Sequence, residues 1–561
     1  MKKKWEYIEQ DKEKIEKVAS KYKISNLLAT ILLNREVEED KIETFLNPKR
    51  NDFYDPFLMK DMEKAVDRII QAINKKEKTI IYGDYDVDGI TSITVLKKFL
   101  GERGLEVAYF IPNRLEDGYG LNKEAIEKIA KEKYTLMITV DCGISGVEEI
   151  KLANNYGIET IITDHHEQSE ILPEAFAIIN PKVKNNTYPF IGLAGVGVVF
   201  KLIQAISIKL GLDEKEYLKY LDIVAIGTIS DIVPLVDENR VIAKLGLMLV
   251  KVTKNIGLKE LIKEIGYKEI NSFMVSFGIA PRINACGRMG KQEQALKLFL
   301  TESKEEAKNI TKSLNEYNLQ RQEKEKYIFE QAVKILETKN IEELNSIVLA
   351  GENWHHGVIG IVASRITEKY FKPTILISIE ENQGKGSGRS IPGFDLHEAL
   401  ELSSQYLEKY GGHKMAVGLS LNKKQIKDFA EHFEQIAKEQ NVKQIVPVIN
   451  IDCEITRRDI NQDTINQIEM LQPFGEQNKQ PIIMYKDLKI ASIRTLSGGK
   501  HLKLSLKDEN EIIDAIGFNL GDLAEEYLIG DKVNVVGYLE INSFNGQDKV
   551  QINLKDIMKS I

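Results

Sequence analysis

The sequence predicts an α/β protein with two α/β domains, which are joined by a long helix and followed by a small β-barrel. Short apolar runs alternate with helical stretches from about residue 78 and again from about residue 346. Such continuous apolar runs between helices indicate parallel strands that are buried on both faces. A charged helical stretch separates these two regions, and alternating apolar and polar residues dominate the chain after about residue 445.

Four apolar runs of the first region are predicted strands, and each of them leads into a polar turn. KTIIY leads into GDYDVDG, TLMITV into DCGIS, ETIIT into DHHEQ, and AFAII into NPK. Three of these strands end in an acidic residue, namely Asp84, Asp141 and Asp164. Open α/β sheets build their sites at the carboxyl ends of the strands, so we expect these acids to share one site.

Changes in pattern divide the chain into five predicted segments. These are an N-terminal helical region (1–75), a first α/β domain (76–235), a helical connector (236–345), a second α/β domain (346–445) and a β-barrel domain (446–561). The connector carries apolar residues on one face, which predicts a single long amphipathic helix; they are Ala307, Ile310, Leu314 and Tyr317. The last segment alternates in HLKLSL and has a hairpin signal at Asn545-Gly546, which favours a five-stranded barrel of OB type.

Composition bounds the class of protein. An apolar fraction of 43% and a charged fraction of 29% are ordinary for a soluble globular protein. Only three cysteines occur, without a close pair, so neither a disulfide framework nor a thiolate zinc site is supported. The N-terminus lacks the apolar core of a secretory signal, and the longest apolar run, IGLAGVGVVF, is too short to span a bilayer. We expect a cytoplasmic protein without a membrane partner, and a net charge of −8 still permits a local basic groove.

A metal centre is predicted from the acidic residues. Asp84, Asp86 and Asp88 stand two apart in IYGDYDVDGI, and three carboxylates this close repel one another unless a cation lies among them. Further candidate ligands follow predicted strands or short turns that contain glycine and serine; they are Asp141, Asp164, His165, His166 and Asp231. Carboxylates with one or two imidazoles suit Mn²⁺ or Mg²⁺.

The number of carboxylates favours two ions over one. If Asp141 bridges, two ions can sit about 3.5–4 Å apart, which is the geometry of two-metal phosphoester hydrolysis. Asp164 fits better as a residue that orients an imidazole than as a ligand. Taken singly, the motifs have simpler interpretations: DxDxD also occurs in solvated turns and calcium loops, and Asp141 or Asp231 could cap a helix. Their shared placement in one α/β domain favours the metal centre.

An ordered set of motifs resembles the DHH phosphoesterase superfamily, and within it the 5′→3′ exonucleases that are specific for single-stranded DNA. The motifs are YGDYDVDGITS, VDCGIS, DHH, GTISDIVPL, PRINACGRMG, WHHGVIGIVASRI, GSGRSIPGFDL and GGHKMAVG. The resemblance extends from about residue 20 into the predicted barrel. It implies that the first α/β domain is a DHH catalytic domain, the second a DHH-associated substrate-binding domain, and the barrel an OB-fold nucleic-acid-binding domain.

The resemblance also implies the roles of site residues. Two Mn²⁺ or Mg²⁺ ions would be held by Asp84, Asp86, Asp88, Asp141, His165 and Asp231. Asp141, His165 and His166 would be catalytic, with His166 close to the metals. Tyr82 departs from the pattern, because many superfamily members with shorter substrates carry a histidine before the aspartates. If Tyr82 is not a ligand, the additional aspartate would supply the missing coordination.

Substrate-binding residues are predicted in the second domain and beside the metal centre. In GKGSGRSIPG, glycines permit close approach while Ser387, Arg389 and Ser390 offer donors suited to phosphate, although a flexible hairpin is the alternative interpretation. The resemblance adds further candidate contacts, which are Arg114, Arg282, Arg288, His355, Gly411, Gly412 and His413. The implied partner is single-stranded DNA, and single-strand-binding protein and a RecQ-type helicase are candidate protein partners.

The predicted function is hydrolysis of single-stranded DNA from its 5′ end to 5′-mononucleotides, in DNA recombination and repair. One alternative is a small-substrate DHH phosphodiesterase acting on short oligonucleotides or cyclic dinucleotides, but such enzymes usually lack the barrel. The other is a non-catalytic replication scaffold, which predicts eroded metal positions, whereas this sequence retains all of them.

Overall fold

The computed structural model describes residues 3–113, 120–509, 511–544 and 547–560, which form two compact units. The barrel unit consists of the described residues of 1–53, 234–245 and 447–561, and the two-sheet unit consists of those of 54–233 and 246–446. In these described ranges, no helix has both the length and the apolar character needed to cross a membrane. The five segment boundaries predicted from the sequence stay a prediction.

Strands are numbered along the chain. The described residues form β1 (Lys4–Tyr7), β2 (Thr79–Gly83), β3 (Val107–Phe110), β4 (Leu136–Val140), β5 (Glu159–Thr163), β6 (Ala177–Ile179), β7 (Ile347–Glu352), β8 (Thr374–Glu380), β9 (Gln383–Arg389), β10 (Lys409–His413), β11 (Ala416–Asn422), β12 (Val448–Ile451), β13 (Cys453–Glu454), β14 (Ile483–Leu496), β15 (His501–Asp508), β16 (Glu511–Gly517), β17 (Lys532–Phe544) and β18 (Gln547–Lys559).

Helices are numbered in the same way. They are α1 (Lys12–Tyr22), α2 (Asn26–Asn34), α3 (Ile42–Leu46), α4 (Met62–Lys75), α5 (Val87–Gly101), α6 (Lys123–Lys131), α7 (Val147–Asn155), α8 (Gly195–Lys209), α9 (Lys215–Leu218), α10 (Leu221–Ser230), α11 (Asp237–Val250), α12 (Ile256–Ile265), α13 (Ser272–Met274), α14 (Ala280–Arg288), α15 (Gln292–Leu300), α16 (Lys304–Glu337), α17 (His356–Tyr370), α18 (Leu396–Leu402), α19 (Ile426–Glu439) and α20 (Gln462–Glu469). A π-helical turn, Val275–Ile279, links α13 to α14.

The first sheet of the two-sheet unit is parallel throughout, in the order β3-β2-β4-β5-β6. Strands β2 and β4 are buried along their whole length, as expected for continuous apolar runs between helices. Gly83 pairs with Val140, and Val140 pairs with Thr163, so the three strands end level with one another. The parallel sheet is confirmed. Strand β3 was not predicted, since only the first of its four residues is buried.

The second sheet has the order β10-β11-β9-β8-β7, with β7 and β8 parallel and the other pairs antiparallel. The glycine-rich run, for which a flexible hairpin was the alternative interpretation, forms the interior strand β9. Its glycines serve packing, because a Cβ at Gly386 would lie 2.6 Å from the Leu419 side chain, and one at Gly384 would lie 2.8 Å from Ile377.

The helical connector ends in the predicted long helix. Helix α16 has 34 residues and buries Ala307, Ile310 and Leu314 on one face. Tyr317 is half-buried. The helix leads directly towards β7, the first strand of the second sheet, so the predicted arrangement of two α/β domains joined by a long helix is confirmed.

The barrel unit contains the predicted OB-type barrel. Strands β14, β15, β16, β18 and β17 follow one another around it, and pairing of β17 with β14 closes it. The N-terminal helices α1, α2 and α3 contribute to the same apolar core. Strand β1 pairs in parallel with β12 and was missed by the prediction of a helical N-terminus. Phe544 and Gln547 pair across the predicted hairpin, whereas Asn545-Gly546 lies outside the described residues.

Arg240, on α11, holds the barrel unit together from within. Its side chain is buried, with 1% exposure, and burial lowers its pKa to about 9. The guanidinium donates to the carbonyls of Phe45 (2.6 Å), Leu471 (2.8 Å), Gln472 (2.9 Å) and Met470 (3.2 Å). These carbonyls lie at the C-terminal ends of α3 and α20, where backbone acceptors lack intrahelical partners. One cation therefore joins three segments that are distant in sequence.

We predict that Arg240→Met lowers the stability of the barrel unit by about 3 kcal/mol or more, because it leaves several buried carbonyls without a donor. The measurement is the melting transition followed by scanning calorimetry. Arg494→Met removes an exposed arginine from the same unit and should change stability by less than about 0.5 kcal/mol. If the two variants had the same melting temperature, the result would contradict the role of Arg240.

Candidate metal centre and phosphate-binding residues

The predicted acidic residues meet at one edge of the parallel sheet. Asp84, Asp141 and Asp164 directly follow β2, β4 and β5, and all three are buried. Asp231 reaches the same place differently, since it ends helix α10 as its C-cap and does not follow a strand. Parallel register brings the strand ends together, and α10 delivers the fourth carboxylate from the side.

His165 occupies the centre of the carboxylates. Its Nε2 lies 3.1 Å from Oδ1 of Asp141, 3.6 Å from Oδ2 of Asp231 and 3.9 Å from Oδ2 of Asp88. The imidazole also hydrogen-bonds the backbone of Leu193. Nε2 is buried and makes no hydrogen bond within the described ranges. A buried nitrogen lone pair surrounded by carboxylate oxygens is an arrangement that a cation would complete.

The donor set fits divalent cations. Three groups place their ligand atoms within 4.8 Å of one another; they are Asp84–Asp86–Asp141, Asp88–His165–Asp231 and Asp141–His165–His166. Asp141 and His165 each belong to two of these groups, which is the sharing expected if two ions lie side by side. Oxygen ligands with one or two imidazoles and no thiolate suit Mn²⁺ or Mg²⁺.

Burial makes these carboxylates hard to ionise together. Burial and the charge of Asp86 raise the pKa of Asp88 to about 7. Burial, followed by the charge of Asp88, raises the pKa of Asp141 well above its usual value, and the pKa of Asp231 rises for the same reasons. Burial also lowers the pKa of His165 to about 3, so the imidazole stays neutral and can act as a ligand. The site is therefore built for a cation.

Backbone geometry explains the positions of two of the clustered aspartates. Asp86 caps α5, its Oδ1 accepting from the N–H groups of Asp88 and Gly89. Asp88 accepts from the N–H groups of Gly195 and Val196 at the start of α8, each at 2.7 Å. A Cβ at Gly195 would lie 2.7 Å from the Asp141 carboxylate, so only glycine fits there. Gly195 was not predicted as a site residue, because nothing local in GLAGVG relates it to Asp88.

Asp164 orients His166. Its Oδ1 lies 2.7 Å from Nδ1 of His166, and its carboxylate accepts the backbone N–H groups of His165, His166 and Ile144. Although burial opposes ionisation of Asp164, these bonds and the histidine charges lower its pKa to about 2. The same pair raises the pKa of His166 against the effect of burial. This carboxylate–imidazole pair fixes the orientation of the His166 ring beside the candidate metal ligands.

Tyr82 is not a metal ligand in this arrangement. Its ring is buried and stacks on Phe110 at 5.1 Å. The hydroxyl donates to the carbonyl of Gly120 and accepts from Asn122 Nδ2. The tyrosine therefore anchors Gly120 and Asn122, just before α6.

Basic residues of the second sheet approach the metal centre. Burial lowers the pKa of His413, and the charges of Arg389 and His166 lower it further, so His413 lies within the electrostatic range of both residues. Arg389 Nη1 donates to the Gly388 carbonyl (2.6 Å) and contacts Ser387 Oγ (3.3 Å). Gly360 leaves space for the guanidinium of Arg389, since a Cβ at Gly360 would lie 3.1 Å from Arg389 Nη2.

The hairpin β10–β11 carries the predicted glycine pair. All residues of β10 are exposed at the edge of the sheet. Gly412 has a φ of +134°, and a Cβ there would lie 2.4 Å from the Ala416 carbonyl, so glycine is required. Gly411 faces open space, which leaves its backbone accessible.

Other predicted phosphate contacts are engaged within the protein. Arg282 donates to Gly278 O and Asn315 Oδ1, and Arg288 donates to Gly357 O. Ser390 is buried and its hydroxyl donates to Phe394 O, so it has no hydrogen to offer a phosphate. His355 stands at the start of α17 with burial lowering its pKa. Arg114 lies outside the described residues.

Comparison with known families agrees with this geometry. Residues 78–228 match the DHH family, N-terminal domain, residues 343–439 match the DHHA1 domain, and residues 451–556 match the RecJ OB domain. These matches cover both sheets and the barrel.

Whole-chain relatives and solved structures lead to the same family. The chain is 39% identical to the single-stranded-DNA-specific exonuclease RecJ of Bacillus subtilis, covering 98% of this chain and 70% of that protein. It is 34% identical to RecJ of Haemophilus influenzae, with 91% of each chain covered. Crystal structures of Thermus thermophilus RecJ with Mn²⁺ and with Mg²⁺ match at TM-scores of 0.87 and 0.82 and identities of 28% and 26%. They cover all of this chain and 80% and 79% of the matched chains. This chain belongs to the RecJ family of single-stranded-DNA-specific exonucleases.

Proposed function

We propose that this protein degrades single-stranded DNA from the 5′ end, releasing 5′-mononucleotides by hydrolysis at a two-metal centre. The observation that carries the proposal is the position of His165 Nε2 among the oxygens of Asp141, Asp231 and Asp88, beside the strand ends of a parallel sheet. Family membership supports the choice of single-stranded DNA over cyclic or short substrates.

Five residues would hold the two Mn²⁺ or Mg²⁺ ions directly: Asp84, Asp86, Asp141, His165 and Asp231. When bound, these cations would lower the pKa of a water molecule and neutralise phosphate charge. Both oxygens of Asp88 already accept backbone N–H groups, so we infer that Asp88 mainly fixes the start of α8 beside Asp141. His165 stays neutral because burial lowers its pKa, and a neutral imidazole is the form that binds a metal.

We propose that His166 and Arg389 form the phosphate-facing side of the site, with the imidazole of His413 beside them. Asp164 fixes the His166 ring through Nδ1 and raises its pKa against the effect of burial, and we assign this ring to a non-bridging oxygen of the reacting phosphate. Arg389, with Ser387 and the accessible backbone at Gly411, would bind the phosphate at the end of the strand. Recognition of phosphate, which carries no sequence information, would allow action on any sequence.

The cellular setting follows from the proposed substrate. A DNA exonuclease of this family would act in recombination and repair in the cytoplasm. Single-strand-binding protein and a RecQ-type helicase are the proposed partners, because each would supply or present single strands. The OB-type barrel would add sequence-independent contacts to the strand.

We predict that wild-type protein with Mn²⁺ digests 5′-labelled single strands and leaves the matching duplex and a cyclic strand intact. Asp141→Ala should abolish this activity, because Asp141 belongs to two of the three ligand groups. Asp222→Asn is the matched control, since Asp222 is a buried aspartate that hydrogen-bonds Thr253 away from the metal centre. It should cleave at the wild-type rate. More than a tenth of wild-type activity in Asp141→Ala would contradict the shared-ligand role.

We predict that Arg389→Ala slows strands with a 5′-phosphate by roughly 10- to 150-fold in kcat/KM, because it removes a charge-assisted contact of about 1.5–3 kcal/mol. Strands with a 5′-hydroxyl should slow much less, and Arg389→Lys should restore only part of the loss.

The control is Arg365→Ala, because Arg365 pairs with Glu325 and lies over the Phe329 ring. It should keep the preference for 5′-phosphate. If Arg389→Ala slows both kinds of strand by one factor, Arg389 contacts an internal phosphate and the terminal contact passes to Arg114.

A further inference from the structure

Three aromatic side chains form an exposed cluster on the two-sheet unit. Tyr267 is 43% exposed, Phe273 56% and Phe277 63%. The Phe273 ring lies 4.6 Å from that of Phe277 and 6.2 Å from that of Tyr267, which meets it edge-on. Large apolar rings that stay in contact with one another while facing solvent are typical of binding surfaces. We call these three residues the aromatic cluster.

The aromatic cluster lies on a helical element that leads to the metal centre. Residues 272–288 run without interruption through α13, the π-helical turn and α14. Near the far end, Asn284 Oδ1 accepts the N–H of Val87, next to the metal-binding Asp86. Gly287 packs against the Tyr85 backbone, because a Cβ added at Gly287 would lie 2.9 Å from the carbonyl oxygen of Tyr85. The element is therefore anchored on the DxDxD turn.

Exposed side chains occur along this element from the aromatic cluster to the metal-binding turn. Phe273, Phe277, Asn284 and Arg288 are all at least partly exposed. Phe277 precedes Asn284 by seven residues, which is about 10 Å along a helix axis. The element therefore carries the two phenyl rings near its start and ends beside the metal-binding turn.

We propose that the aromatic cluster stacks on bases of the single strand a few nucleotides from the bond being cleaved. This inference rests on the proposed exonuclease function. It adds a second binding site for the strand, besides the site for the terminal phosphate. Stacking suits an enzyme that must accept every sequence, because every base presents a flat face. Arg282 and Arg288 on the same element provide positive charge along the path, in a protein whose net charge is −8.

The test is the length dependence of kcat/KM for Phe277→Ala, measured on single strands of 3, 6, 12 and 20 nucleotides with Mn²⁺. We expect a wild-type rate on the trinucleotide and a loss of roughly 5- to 150-fold on the longer strands, from the typical strength of one base–aromatic stack. Phe277→Trp should keep the wild-type rate on long strands. Phe277→Leu, which remains apolar but cannot stack as a ring, should behave like alanine. Tyr156→Ala removes an exposed ring from the end of α7 and should change nothing.

Two results would overturn the inference. An equal loss on all four lengths would show that Phe277 supports the site or the fold, and no loss on any length would leave a protein partner as the occupant of the aromatic cluster. Binding of strands to Asp141→Ala protein, measured by fluorescence anisotropy, separates this inference from the proposed function. Stacking predicts weaker binding when Phe277→Ala is added, even if wild-type protein cleaves no DNA.

Discussion

Repulsion among buried carboxylates is the constraint on which the rest of this structure depends. Four aspartates meet His165 in a region from which water is largely excluded; they are Asp84, Asp141 and Asp164, at the ends of β2, β4 and β5, and Asp231, at the end of α10. Carboxylates in such surroundings keep raised pKa values unless positive charge is supplied. The site therefore gains its stability and its chemistry together when cations bind, and the surrounding elements act to hold the ligands in place.

The backbone around the ligands shows how much is required to hold them. Asp141 itself has a φ of +59°, and Ile232, directly after Asp231, has a φ of +63°. Left-handed conformations are costly for residues with a Cβ, about 1–3 kcal/mol each, and most of all for a β-branched isoleucine. Such strain persists only where packing and hydrogen bonds over-determine the structure. Here backbone bonds hold the two aspartates: the N–H of Asp141 donates to the Thr163 carbonyl and that of Asp231 to the Gly227 carbonyl, each at 3.0 Å.

Much of this arrangement could be predicted from the sequence, because the signals are local. Apolar runs that end in aspartate place Asp84, Asp141 and Asp164 at one sheet edge, and the spacing of apolar residues predicts the long helix α16. Contacts between distant segments carry no local signal. The pairing of β1 with β12, the four carbonyls bound by Arg240 and the bonds from Gly195 to Asp88 all belong to this class. The glycines of β9 left a flexible hairpin open as an alternative, because glycine permits both loops and tight strand packing.

The most direct measurement is anomalous diffraction at the manganese edge from crystals soaked in Mn²⁺. The account predicts two peaks at the carboxyl edge of the parallel sheet. Both should contact Asp141, one should lie on the side of Asp84 and Asp86, and the other on the side of His165 and Asp231. A single peak, or ions bound elsewhere, would contradict the two-metal centre around which the account is built.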